Sequence, residues 1–192
     1  MQHKPTFTIY CASSSTLAPI YTEAAARLAE TAAKAGIDIV TGGGYSGLMG
    51  AVADAALAAG GRVTGIIPRF MEERGWHHRG LSDMKIVDGM HTRKRTMAEM
   101  ATAAIALPGG VGTFEELMEI ITWRQLGLFN GNVVIFNVNN YYGPLLSMFD
   151  TAIEQGFMRP DHRGLFTVAE SVDEVMAAAL AEPERRDWSA KF

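Results

Sequence analysis

Cysteine is almost missing from this 192-residue sequence: Cys11 stands alone. That excludes an intrachain disulfide and any multi-cysteine metal site, and a reducing compartment is the simplest setting. Long apolar runs are missing too. None approaches eighteen residues, so no helical membrane span is expected. The first residues lack the basic, long-apolar, small-residue pattern of an export signal, and a cytoplasmic chain is the expectation. There is no excess of positive charge. A formal net charge of −4 argues against non-specific nucleic-acid binding, whose affinity comes from neutralising phosphates. Repeats, low-complexity tracts and linkers are absent, so one domain over residues 1–192 is expected.

What is present alternates strand-length apolar runs with helix-length segments. Strands are expected at 6–12, 37–41, 62–67, 84–87, 103–107, 132–138 and 165–168. Helices are expected at 19–36, from the second glycine-rich turn to Ala59, and at 90–101, 113–128, 144–155 and 171–181. The alternation implies right-handed βαβ units: an α/β, doubly wound, mainly parallel sheet of about seven strands with helices on both faces, Rossmann-like in form. In such folds ligands bind beyond the carboxyl ends of the strands. The polar segment 69–83, with Trp76, His77 and His78, shows no period and is expected to be a mobile loop near a site. The two histidines are adjacent rather than i, i+4, and no metal site is expected. The residues at 182–187 are expected to form a solvated tail.

The most informative stretch is Ala103 to Leu128. A buried strand ends at Pro108, Gly109, Gly110, Val111 and Gly112, which bare the backbone, and a helix follows. The first amides of a helix have no internal partners and its dipole favours negative charge, so this turn is a natural phosphate seat. Thr113 and Glu116 have the Thr-x-x-Glu spacing of a capping box, which needs no ligand. Glu115 reads equally as a surface carboxylate. The run of bare backbone in front favours a site, with both carboxylates within a turn of it. The helix behind is apolar on several sides, which suits a core helix or a subunit seam, and a homodimer is expected.

A second glycine-rich turn, Gly42-Gly43-Gly44-Tyr45-Ser46-Gly47, satisfies Gly-x-Gly-x-x-Gly. The acidic residue about 20 positions on that a dinucleotide site wants is missing, because the next strand ends Ile66-Ile67-Pro68. Two readings stay open, tight strand–helix packing and a role in holding a nucleotide or its phosphate. Arg93, Lys94 and Arg95 begin a helix, where cations oppose the dipole unless an anion is nearby. His91 at the same boundary is either a polar cap or a ligand contact.

With these stretches in view, the sequence resembles the LOG family of phosphoribohydrolases, historically mislabelled lysine decarboxylases. The resemblance runs from Tyr10 to about Met176. Residues 108–116 match the family's Pro-Gly-Gly-x-Gly-Thr-x-x-Glu, and 90–94 match Met-His-x-Arg-Lys. Further matches are Thr41-Gly42-Gly43-Gly44, Gly47-Leu48-Met49-Gly50 and Thr122-Trp123-Arg124-Gln125-Leu126-Gly127.

The resemblance implies hydrolysis of the N-glycosidic bond of nucleoside 5′-monophosphates, cytokinin riboside monophosphates and AMP among them, to free base and ribose 5-phosphate. It carries the catalytic roles to Arg93 and Glu116, and the phosphate loop to Gly109, Gly110, Val111, Gly112 and Thr113. It carries substrate contacts to Glu115, Lys94 and Thr122, and to Ser14 and Met90. No cofactor is implied. Two departures are visible: Ala12 stands where the family often has glycine, and Gly75 where it often has a substrate-contacting glutamate. The decarboxylase label would need a Schiff-base lysine, and the only lysine in a recognisable motif, Lys94, lies between two arginines. A non-catalytic nucleotide carrier on the same fold is the remaining alternative.

Overall fold

The computed structural model describes residues 4–184 and Trp188. Its strands are β1 (Thr6–Tyr10), β2 (Asp38–Thr41), β3 (Val63–Pro68), β4 (Asp83–Val87), β5 (Ala103–Ala106), β6 (Asn132–Phe136) and β7 (Thr167–Ala169). The helices are α1 (Pro19–Lys34), α2 (Gly47–Ala58), α3 (Arg69–Glu72), α4 (Met90–Glu99), α5 (Val111–Gln125), α6 (Gly143–Glu154) and α7 (Val172–Leu180). All strand pairs are parallel, in the order β4-β3-β2-β1-β5-β6-β7. The α/β doubly wound reading holds.

Both faces of the sheet are covered, which is why the strands read as unbroken apolar runs rather than alternating ones. Phe7 and Ile9 of β1 join a core with α1, α2 and α7. Tyr10, one step along, points the other way and joins a core with α4 and α5. On α1, Ala25, Ala29 and Ala32 are fully buried, as are Ala53 and Ala56 on α2. Small side chains on both helices let them lie close. By contrast α6 has no fully buried residue and covers the second core with Leu145, Leu146 and Phe149 only partly buried.

The chain builds outward from β1 to β4 and then returns to lay β5 on the other side of β1. The loops after β1 and β5 therefore leave in opposite directions and open a crevice between them.

Several boundaries move. Part of the segment expected as loop forms α3, and His77 then bridges back to Gly44. The last strand begins later than expected because Pro160–Leu165 is a 3₁₀ turn that buries Leu165. Of the tail expected to be solvated, Glu182 and Glu184 are exposed and 185–187 lie outside the described residues. Trp188 is 5% exposed and packs into the second core. Among the described residues no helix is long and apolar enough to cross a membrane.

Candidate active site

A cleft of about 620 Å³ lies over the carboxyl ends of β1, β2, β3 and β5. Ser13 and Ser14 come from the loop after β1, Gly42, Gly44 and Tyr45 from the loop after β2, and the first turn of α5 from beyond β5. The three loops converge on one rim, as their sequence positions imply. Met71 and Trp76 wall the cleft from the segment after β3.

The α5 end differs from expectation. The helix begins at Val111 with Gly110 as its N-cap and no side-chain cap. Thr113 is the third helical residue, buried, with its side chain against Gly109. The capping-box reading of Thr113 and Glu116 is therefore corrected: with Gly110 extended and unbranched, the helix starts three residues early. That frees Glu116 from any capping duty. The box chemistry occurs elsewhere, where Ser171 Oγ accepts from the Glu174 amide at 3.2 Å. Gly110, Val111, Gly112 and Thr113 line the cleft, with the first, unpaired amides of α5 at its wall.

Arg93 is pinned. Its Nε donates to the Ile66 carbonyl at 3.1 Å and its Nη2 to the Gly42 carbonyl at 2.8 Å, while Nη1 approaches Met90 Sδ at 3.8 Å. A side chain at Gly42 would collide with the guanidinium, so glycine is required there for close approach. Burial disfavours the guanidinium's charge and the nearby Glu116 carboxylate supports it. It remains a cation. Glu116 is half-buried on the same wall. Burial pushes its carboxyl up to about 7, against the pull of Arg93 and with a further push from Glu115. A carboxyl that titrates near neutrality inside a cleft is suited to proton transfer.

Lys94 turns away from the cleft. Its ammonium is buried and bridges Glu115 and Glu119, the latter at 3.1 Å. Burial works against its charge, but the hydrogen bonds it donates to Glu115 and Glu119, with their negative charge, outweigh it and raise its pKa. Glu115 lines the cleft with Lys94 behind it. Thr122 stands further along α5, exposed, its hydroxyl donating to the Met118 carbonyl, and is not part of the cleft wall. Ser14 and Met90 are on the wall; Gly109 is buried just behind it. His91 and Arg95 are exposed and outside it.

The second glycine-rich turn packs tightly at its α2 end, while its Gly42, Gly44, Tyr45 and Ser46 line the cleft. The Ala12 carbonyl accepts from the amides of Leu48 and Met49, at 2.9 and 3.3 Å, so the opening amides of α2 are already occupied. Gly47, at φ +62, lies where a side chain would strike the Ser13–Ser14 backbone. Cys11, Tyr45, Met49, Ile67 and Met71 also line the cleft, and none of them is a site residue expected from the sequence. Only Tyr45, an aromatic inside a glycine-rich turn, carried a signal that would have found it.

A family model described as "possible lysine decarboxylase" matches residues 49–179. The cytokinin riboside 5′-monophosphate phosphoribohydrolase LOG7 of Arabidopsis thaliana is 42% identical over 185 residues, covering 96% of this chain and 85% of that protein. The chain belongs to the LOG family. A bacterial LOG-family relative, the cytokinin riboside 5′-monophosphate phosphoribohydrolase of Rhodococcoides fascians, is 40% identical over 181 residues, with 92% and 91% covered. Among solved structures, the molybdenum cofactor carrier protein of Chlamydomonas reinhardtii superposes with a TM-score of 0.69 at 21% identity, covering 92% of this chain and 96% of its own. At that identity the likeness shows the fold alone.

Proposed function

We propose that this chain hydrolyses the N-glycosidic bond of nucleoside 5′-monophosphates, AMP and cytokinin riboside monophosphates, to free base and ribose 5-phosphate. The single observation that carries the reading is one cleft holding the open first turn of α5, the near-neutral carboxyl of Glu116 and the pinned guanidinium of Arg93. Kinship with phosphoribohydrolases at about 40% identity supports it.

In this reading the 5′-phosphate sits on the amides of residues 110–113, which fixes the sugar beside Glu116 and gains rate through positioning. Departure of the base builds positive charge on the ribose ring, as in glycoside hydrolysis. Ionised Glu116 stabilises that charge and deprotonates the attacking water. Arg93 cannot act as an acid at neutral pH; it orients Glu116 and the anionic substrate. Ser14, Met90 and Glu115 contact substrate, and Lys94 holds Glu115 in place. Thr122 would contribute only from another surface.

The whole chain acts as one nucleotide-binding domain, needs no cofactor or metal, and works in the cytoplasm without nucleic-acid or membrane partners. It pairs as a homodimer through apolar side chains left in water, Leu126 and Leu128 after α5, Met148 on α6 and Phe157 beyond it. Incubation with AMP tests the activity. Release of free adenine supports hydrolysis; a raised melting temperature with no adenine would identify a carrier instead.

A further inference from the structure

Three consecutive carbonyls of the turn after β5 each accept a hydrogen bond. The Leu107 oxygen accepts from the Tyr142 hydroxyl at 2.7 Å, the Pro108 oxygen from the Ala12 amide at 3.1 Å, and the Gly109 oxygen from the Tyr141 hydroxyl at 2.5 Å. A trans peptide is planar, so its C=O and the next residue's N–H point in opposite directions. Holding the Gly109 oxygen against Tyr141 therefore turns the Gly110 N–H away from Tyr141. Gly110 lines the cleft, and Tyr141 does not. A carbonyl left free to swing would present negative charge where an anion is to bind.

Two adjacent tyrosines reach the same turn because of how the chain leaves β6. Ile135 of β6 lies beside Ala106 at the end of β5, so the segment after β6 emerges next to the glycine-rich turn. There Asn139 and Asn140 take left-handed backbone, φ 52 and 55, which asparagine tolerates better than other branched or bulky residues. Buried Asn137 locks the bend: its Oδ1 accepts from the Tyr142 amide at 2.8 Å and its Nδ2 donates to Asn140 Oδ1 at 3.3 Å. The Tyr141 ring is then gripped by Phe114, stacked at 6.3 Å, and by the edges of Tyr21 and Tyr142 at 6.1 and 5.1 Å. Its hydroxyl has little freedom to leave the Gly109 oxygen.

We infer that Tyr141 is a positioning residue for anion binding: its hydroxyl fixes the Gly109–Gly110 peptide so that the amide beyond it faces the phosphoryl group of the ligand. The inference rests on the proposed phosphate seat at α5. Tyr142 anchors the Leu107 carbonyl in the same turn, and since residue 108 is proline no amide is aimed by that contact.

Calorimetric titration of ribose 5-phosphate into the wild type and Tyr141→Phe, with adenosine as the unphosphorylated control, tests it. Phenylalanine keeps the ring contacts and loses only the hydroxyl, and the site is at the rim, so the variant folds; a thermal melt verifies this. The expected result is ribose 5-phosphate binding weakened about three- to tenfold, the range of one net hydrogen bond, with adenosine affinity changed by less than about twofold. The KM for AMP rises by the same factor. An unchanged affinity for ribose 5-phosphate in the variant, or equal losses for both ligands, overturns the role of Tyr141. Wild-type protein that fails to bind ribose 5-phosphate overturns the phosphate seat itself, and with it this inference.

Discussion

The Arg93 guanidinium and the Gly42 carbonyl, 2.8 Å apart, tie the first turn of α4 to the end of β2 across 51 residues of chain. The contact exists because residue 42 has no side chain, and it fixes the Arg93 cation on the cleft wall where it acts electrostatically on Glu116. Gly42→Ala pushes the guanidinium off both backbone acceptors. Adenine release from AMP falls about a hundredfold in kcat/KM, the scale of an ångström's misplacement of a catalytic group. Circular dichroism should show the fold retained; wild-type turnover would mean that Arg93 placement is unimportant.

Glu116→Gln removes the carboxylate and keeps its shape. AMP hydrolysis drops by at least about a thousandfold while ribose 5-phosphate still binds, since the amides of α5 are untouched. Product assays with calorimetry on the same preparation separate the two effects. Turnover near the wild-type level would remove Glu116 from the mechanism.

The pH dependence has a definite sign. Because burial pushes Glu116 up to about 7 and the proposed mechanism uses its ionised form, kcat/KM should rise as pH increases through about 7 and then level. Stability runs the other way. A carboxyl raised from 4.5 to about 7 binds its proton more tightly folded than unfolded, so folding loses stability as pH rises across that window. At about 1.4 kcal/mol per pKa unit the ceiling is about 3 kcal/mol. Glu116→Gln should therefore melt higher than wild type at pH 8, with the gap closing below pH 5.

Lys94→Met leaves Glu115 and Glu119 facing each other without their shared cation. Glu115 is half in water, which discounts the effect, so denaturant unfolding should show a loss of about 1–2 kcal/mol. AMP turnover also falls, because Glu115 loses the group that holds it at the cleft.

Sedimentation or light scattering checks the proposed pairing. Met148 on α6 and Leu126 just after α5 are 62% and 54% exposed, and the proposed pairing would cover both. Met148→Glu with Leu126→Glu should convert a dimer to monomer without lowering solubility. A wild-type protein that is already monomeric at micromolar concentration would refute the pairing.

The strand–helix alternation, the two glycine-rich turns and the motifs around Arg93 and Glu116 were legible in the linear chain, because periodicity, unbranched residues and motif spacing are local properties. The fold class and the family followed from them, and so did the convergence of three loops at the sheet's carboxyl edge. Other readings needed the folded molecule. Whether Thr113 caps or packs depends on where α5 begins, and that turns on the extended backbone of Gly110. Lys94 and Arg93 are neighbours in sequence and look alike, yet a helix points successive residues about 100° apart, so one meets Gly42 at the cleft and the other meets Glu119 behind it.

The sequence alone placed a glycine-rich helix start of the kind that suits a phosphate-sized anion, with acidic and basic groups within a few residues of such motifs. Only the tertiary structure decided which opening amides stayed unoccupied. Those of α2 are consumed by Ala12, a residue 36 positions away from Leu48, while the first turn of α5 opens on the cleft, behind a Gly109 carbonyl held by Tyr141. Such competition for hydrogen bonds is set by residues distant in the chain and adjacent in space, and no local pattern encodes it.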